Sequence, residues 1–198
     1  MASCCAKKVP EREKQVLVVG VDDSEYSTYA LEWTLDHLIT PSPTPIFKLV
    51  IVFAKPSVTS AVGIIGPGMY VCIFEYPSMH TYTYVYAYRY VLIQVVVGAP
   101  EVFPMVEADI KRTAARVTEQ AKQLCINKSV NDAIVEVVEG DPRNVLCEAV
   151  EKHHASVLVV GSHGYGAIKR AVLGSVSDYC AHHAHCTVMI VKKPKTKH

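Results

Sequence analysis

No apolar run in the 198-residue chain is long enough to cross a bilayer as a helix, and Met1–Pro10 lacks the apolar core of a signal peptide. Neither sign of charge is in excess: 20 Lys+Arg against 19 Asp+Glu leave a net charge of +1, which removes any broad electrostatic case for nucleic acid or for an anionic membrane. These absences lead to the expectation of a cytoplasmic protein. There is no Cys-x-x-Cys pair; the seven cysteines (Cys4, Cys5, Cys72, Cys125, Cys147, Cys180 and Cys186) are scattered. In a reducing compartment they read as free thiols, the interior ones acting as small apolar fillers. Two glycine signatures are missing as well. No GxxxxGK[ST] loop occurs, and Gly164-Tyr165-Gly166 is followed by Lys169 where a dinucleotide fingerprint needs its third glycine.

What is present is globular: 50% hydrophobic and 20% charged residues in a length that suits one domain, or one domain with an insertion. Residues 1–14 read as a flexible N-terminal tail, 15–193 as the domain and 194–198 as a basic tail. Gln15–Val21 is a buried strand, ending at Asp22-Asp23-Ser24-Glu25, where Ser24 is placed to cap a helix running to about His37. Pro41, Pro43 and Pro45 form a linker, and Phe47–Ala54 is a second apolar strand. Val106, Ile110, Ala114, Val117, Ala121 and Leu124 trace one face of a helix over Glu101–Asn127. A strand over Ala133–Val138 follows. Asp141 and Pro142 then start a helix that ends near His153, and strands cover Val157–Val160 and Thr187–Val191 with a helix over Ser175–His185 between them. This alternation predicts an α/β fold with a parallel sheet and helices on both faces, its ligand crevice at the carboxyl ends of the strands.

Residues 69–100 differ in kind. Seven of the eleven tyrosines lie there, and Tyr82, Tyr84, Tyr86, Tyr88 and Tyr90 alternate strictly, as they would on one face of a strand. The segment reads as a tyrosine-rich insertion.

The chemistry concentrates in Val157–Ser177. An apolar run ends at Gly161; Ser162, His163 and Gly164 follow, then Lys169 and Arg170, and Gly174-Ser175 opens a helical segment in which Ser175 or Ser177 reads as the start. Glycines allow close backbone approach and positive φ, helix N-terminal amides attract anions, and hydroxyls and cations add to both. A phosphate fits all of these features; an ordinary tight turn between strand and helix is the plainer alternative.

The spacing Gly161, two residues, Gly164, nine residues, Gly174-Ser175 resembles the nucleotide-binding pattern of the universal stress protein family, in its plant, ATP/AMP-binding subgroup. Val19–Glu25, Gly140–Arg143 and Val188–Lys192 support the resemblance, which covers 15–68 and 101–193. It implies a five-stranded parallel sheet in the order 3-2-1-4-5, a Rossmann-like, adenine nucleotide alpha hydrolase-like fold. It further implies homodimers through the last strand, Thr187 to Val191, and a stress-responsive regulator that binds ATP or AMP, with Mg2+ as an optional companion of ATP. Carried over by position, Val21 and Asp22 would line base and ribose, and Phe53-Ala54 would offer backbone to the adenine edge. Gly161, Ser162, His163 and Gly164 would wrap the ribose and α-phosphate, and Gly174, Ser175, Val176 and Ser177 would hold the outer phosphates. Asp22 also has a plainer role as a helix-capping aspartate. The alternatives are a weak ATPase using His163 and a nucleotide-free, chaperone-like interaction module whose pocket the insertion disables. Cys180, His182, His183, His185 and Cys186 have the composition of a metal cluster, but on a helix only His182 and Cys186 share a face, so a polar helix end is the favoured reading.

Overall fold

A computed structural model describes residues 14–39, 46–61, 102–164 and 173–194. The chain start, the proline linker, the tyrosine-rich segment with its proposed insertion, Lys169, Arg170 and the last four residues lie outside these ranges.

The valine-rich runs form β1 (Gln15–Val21), β2 (Phe47–Lys55), β3 (Ile134–Glu139), β4 (Ala155–Gly161) and β5 (Thr187–Val191). The helices are α1 (Glu25–Thr34), the short α2 (Val58–Ala61), α3 (Val102–Asn127), α4 (Pro142–His153) and α5 (Ser175–His183). A π-helical turn over Leu35–Ile39 extends α1. The five strands form one sheet, all parallel, in the order β3-β2-β1-β4-β5, which is the topology the resemblance implies.

Strand alternation sorts the apolar side chains between two layers. Leu17, Val19 and Val21 face α1 and α3, packing with Leu31, Leu35, Val117 and Ala121. Val18, Val50, Val52, Leu158 and Val160 face α4 and α5, packing with Val145, Leu146, Val150 and Cys180. Burial pushes the Cys125 thiol up to about 11 and Cys180 up to about 12, so both are protonated, inert core residues.

From β1 the chain steps outward to β2 and β3, then returns to the middle and continues outward through β4 and β5. The reversal falls between β1 and β4, and their carboxyl ends carry Asp22 and Gly161 side by side. Connections leaving a sheet in opposite directions leave a crevice at that point.

Two helix starts follow the sequence. Ser24 accepts the Ser27 N–H at 3.2 Å, and Asp141 accepts the Arg143 N–H at 2.9 Å with Pro142 in the first turn. The third differs: neither Ser175 nor Ser177 caps α5, whose N-cap is Gly174 with no side-chain hydrogen bond. Helix α5 also stops at His183 rather than His185, because Ala184 turns extended (φ −74°, ψ 131°). The His182 and His183 Nδ1 atoms lie 2.8 and 2.9 Å from the Asp178 and Tyr179 carbonyls one turn back, so the rings lie along their own helix. Among the described residues no group of three or more His, Cys, Asp or Glu is placed to hold a metal, and no helix is long and apolar enough to cross a membrane.

Candidate functional site

The carboxyl end of β1 is fixed by a small polar knot. Asp22 donates its N–H to Ser27 Oγ at 3.1 Å, and the Ser27 hydroxyl lies 3.0 Å from the Asp22 carbonyl. Asp22 Oδ1 accepts the Ser24 N–H at 3.1 Å and also the Ser24 hydroxyl. One carboxylate oxygen therefore holds the loop. The other, Oδ2, faces the loop after β4: a Cβ on Gly164 would stand 2.7 Å from it. Asp22 is at once the loop-capping residue and part of a wall shared with the glycine loop.

The glycines serve close approach rather than unusual backbone angles. A Cβ on Gly161 would sit 2.9 Å from the Tyr26 backbone, so the end of β4 presses directly on the first turn of α1. Among the described residues the one glycine with positive φ is Gly140, so at Gly161, Gly164 and Gly174 close approach is the freedom used. Tyr26 also meets His163 edge-on, with ring centroids 5.3 Å apart.

Backbone hydrogen bonds tie this loop to α5. Ser162 donates its N–H to Val191 O at 3.0 Å, and its carbonyl accepts the Gly174 N–H at 2.8 Å. The buried Ser177 hydroxyl lies 2.9 Å from the Gly174 carbonyl and 3.4 Å from that of Ser162. Ser177 is therefore engaged in joining α5 to β4, which corrects its reading as a hydroxyl donor to a ligand. Among the described residues, the first-turn amides of α5 at Ser175 and Val176 have no capping side chain.

Between these elements lies a cavity of about 730 Å³. Gly20, Val52, Ala54, Leu146 and Val160 supply its apolar side; Val21, Asp22 and Ser27 form one rim; Gly161, His163, Gly164 and Leu173–Asp178 form the other. Of the twelve residues singled out from the sequence, the structure brings ten to this cavity. Phe53 and Ser162 are not among its lining residues. Phe53 is 5% exposed and packs in the opposite layer with α1 and α3, because neighbouring strand residues point to opposite faces. Ser162 is 3% exposed, its main chain engaged as described. Val52 was missed, although it lies two residues before Ala54 and so shares its face. Pro142 and Leu146, four apart on α4, were missed too; nothing local in the sequence brings them to β1 and β4.

His163 Nδ1 is buried and, among the described residues, has no hydrogen-bond partner. A buried polar atom in that state costs free energy unless a bound group satisfies it. Arg116 pairs with Asp23 and Lys193 with Glu25, clamping the β1–α1 loop from α3 and from the end of the chain. Such exposed pairs each add little to stability.

The sequence model of the universal stress protein family matches residues 90–192, more than half of the chain. The chain belongs to the universal stress protein family. It is 32% identical over 179 residues to the universal stress protein PHOS34 of Arabidopsis thaliana, covering 89% of this chain and 61% of that one. With PHOS32 of the same plant it shares 30% over 180 residues, covering 89% and 64%. The chain thus spans about three fifths of the length of these two relatives. Among solved structures, UspA from Lactobacillus plantarum superposes with a TM-score of 0.56 at 16% identity, over 89% of this chain and 97% of that one. An Arabidopsis thaliana family member solved with AMP bound gives 0.55 at 23% identity, over 91% and 92%. At these identities the structural likeness establishes the fold.

Proposed function

We propose that the crevice between β1 and β4 binds an adenine nucleotide, ATP or AMP, and that the protein is a nucleotide-responsive regulator acting as a homodimer. The observation that carries this is the cavity itself: at the point where the strand order reverses, Asp22, the Gly161–Gly164 loop and the start of α5 all line one crevice. The apolar side, Gly20, Val52, Ala54 and Leu146, suits a flat base. Asp22 suits ribose hydroxyls, which a carboxylate at a strand end accepts. The first-turn amides of α5 suit phosphate. Phe53 contributes backbone at most. The AMP held by the Arabidopsis protein of the same fold adds weight to this choice of ligand. For the dimer, the support is that β5 lies at an edge of the sheet, where a strand can pair with another copy.

Mass spectrometry of small molecules released from the heat-denatured protein should find AMP, ADP or ATP. Gly174→Val should abolish that signal, since even a Cβ there stands 3.3 Å from the His163 Cα. An empty wild type, or full retention in the variant, would count for a nucleotide-free interaction module instead. Light scattering after gel filtration tests the dimer. A slow ATPase is the second reading, favoured by the unpartnered His163 Nδ1 in the cavity wall. Mg2+-dependent phosphate release that stays linear over many turnovers and disappears in His163→Ala would select it.

A further inference from the structure

The amides at the start of α5 favour a phosphate, and one residue of the same helix opposes it. Asp178 lies in the first turn of α5 and lines the cavity, together with Asp22 on the far rim. Among the described lining residues there are two carboxylates and no lysine or arginine. Asp178 donates its N–H to the Gly174 carbonyl at 2.9 Å, which sets it one helical turn below the N-cap and on the same side of the helix. Helical Cα–Cβ bonds tilt toward the N-terminus, so its side chain leans back toward the amides of Ser175 and Val176. No described side chain pairs with its carboxylate, as is also true of Asp109 on the exposed surface of α3; of the two, only Asp178 lines the cavity.

An aspartate here also favours the helix dipole, and that alone would account for an exposed acid in a first turn. Its place in the cavity wall adds a second consequence. The rise of a helix separates Asp178 from the N-cap by about 6 Å along the axis, inside a screening length of about 8 Å at physiological salt. An anion on the first-turn amides therefore feels both the attraction of the helix end and the repulsion of this carboxylate. On the nucleotide reading above, a monophosphate held by the Gly161–Gly164 loop would lie farther from it than the outer phosphates of a triphosphate, which would rest on α5 itself.

We infer that Asp178 is a specificity-determining residue that selects against the outer phosphates, so that the crevice takes AMP without a metal but takes ATP well only when a divalent cation masks its charge. This rests on the nucleotide reading given above. The cation's part is to cancel part of the triphosphate charge; Asp178 supplies the selection.

The test is calorimetric titration of the full chain with AMP and with ATP, in a chelating buffer and in Mg2+. In chelator the wild type should bind AMP more tightly than ATP by about tenfold, and Mg2+ should narrow the gap. Asp178→Asn keeps the shape of the side chain and removes its charge. It should tighten metal-free ATP binding by about threefold to tenfold while changing AMP by less than about twofold. A matching melting curve shows that the variant folds, and Asp178→Ser serves as a second neutral replacement. If both nucleotides bind but the neutral variants shift them equally or not at all, the selective role of Asp178 is wrong and the nucleotide site stands. If neither nucleotide binds the wild type in any buffer, the nucleotide reading itself falls and takes this inference with it.

Discussion

Helices α4 and α5 lie side by side on one face of the sheet, and their N-terminal ends differ. At α4, Asp141 caps the Arg143 N–H, Pro142 fills the first turn, and the Arg143 guanidinium closes back on the Asp141 carboxylate at 2.7 Å. At α5 the N-cap is Gly174, and among the described residues no side chain caps the first amides. Both ends border the same cavity, through Pro142 and through Gly174–Asp178. A capped end is built for stability. An uncapped end beside a cavity leaves polar groups for something else to satisfy. On this face, structure and proposed function have been divided between neighbouring helices.

The largest effect comes from removing what the two helices share. Leu158 is fully buried in the layer beneath both. Leu158→Ala should cost about 3 kcal/mol, measured by urea denaturation, and should weaken stability and binding together. A variant that kept full stability would show that the two ends do not rest on a common core.

Next is the attempt to make α5 resemble α4. Gly174→Asn supplies a capping side chain, worth about 1 kcal/mol, against the tight fit of its Cβ near His163. We expect stability within about 1 kcal/mol of wild type and affinity for Mg2+-ATP reduced by about 30-fold, or about 2 kcal/mol, because the cap occupies the amides assigned to the outer phosphates. Unchanged affinity would mean that those amides do not meet the ligand.

The converse change should touch stability only. Asp141→Ala removes the α4 cap and should cost about 1 kcal/mol, read as a lower melting temperature, with nucleotide affinity altered by less than about twofold. A large loss of affinity would break the division between the two ends.

The smallest effect is in pH. Arg143, hydrogen-bonded to Asp141, holds that carboxyl below its usual range despite partial burial. A depressed folded-state value stabilises the native state above the unfolded value and loses that contribution as pH falls through the folded one. Asparagine also caps a helix, so Asp141→Asn isolates the charge. Wild type should exceed it by less than about 1 kcal/mol above about pH 4, with the gap closing in more acidic solution. A gap that persists at low pH would assign the stabilisation to something other than this ion pair.

Much of this architecture is legible along the chain. The caps at Ser24 and Asp141, the proline in the α4 first turn and the valine runs each follow from a few adjacent residues. The glycine spacing carried most of the site, since close approach at Gly161 and Gly164 needs a missing Cβ wherever the partner comes from. What was not legible has local causes. Phe53 and Ala54 sit in a run buried on both faces, so hydrophobicity alone does not reveal which of them faces the cavity. Ser177 has the composition of a ligand donor, but its hydroxyl meets two carbonyls that only the folded loop presents. Pro142 and Leu146 carry no mark of a binding role.

The order of apolar and polar residues, the caps and the glycines settled by themselves that this chain would form a wound parallel sheet with a polar, glycine-rich loop at one end. Those are properties of neighbours in sequence, where sterics and hydrogen bonding act over a few residues. Which face of β2 met the cavity and which serine was engaged were decided by packing between distant segments. Such contacts depend on the phase and docking of whole elements, and no short stretch of chain encodes them.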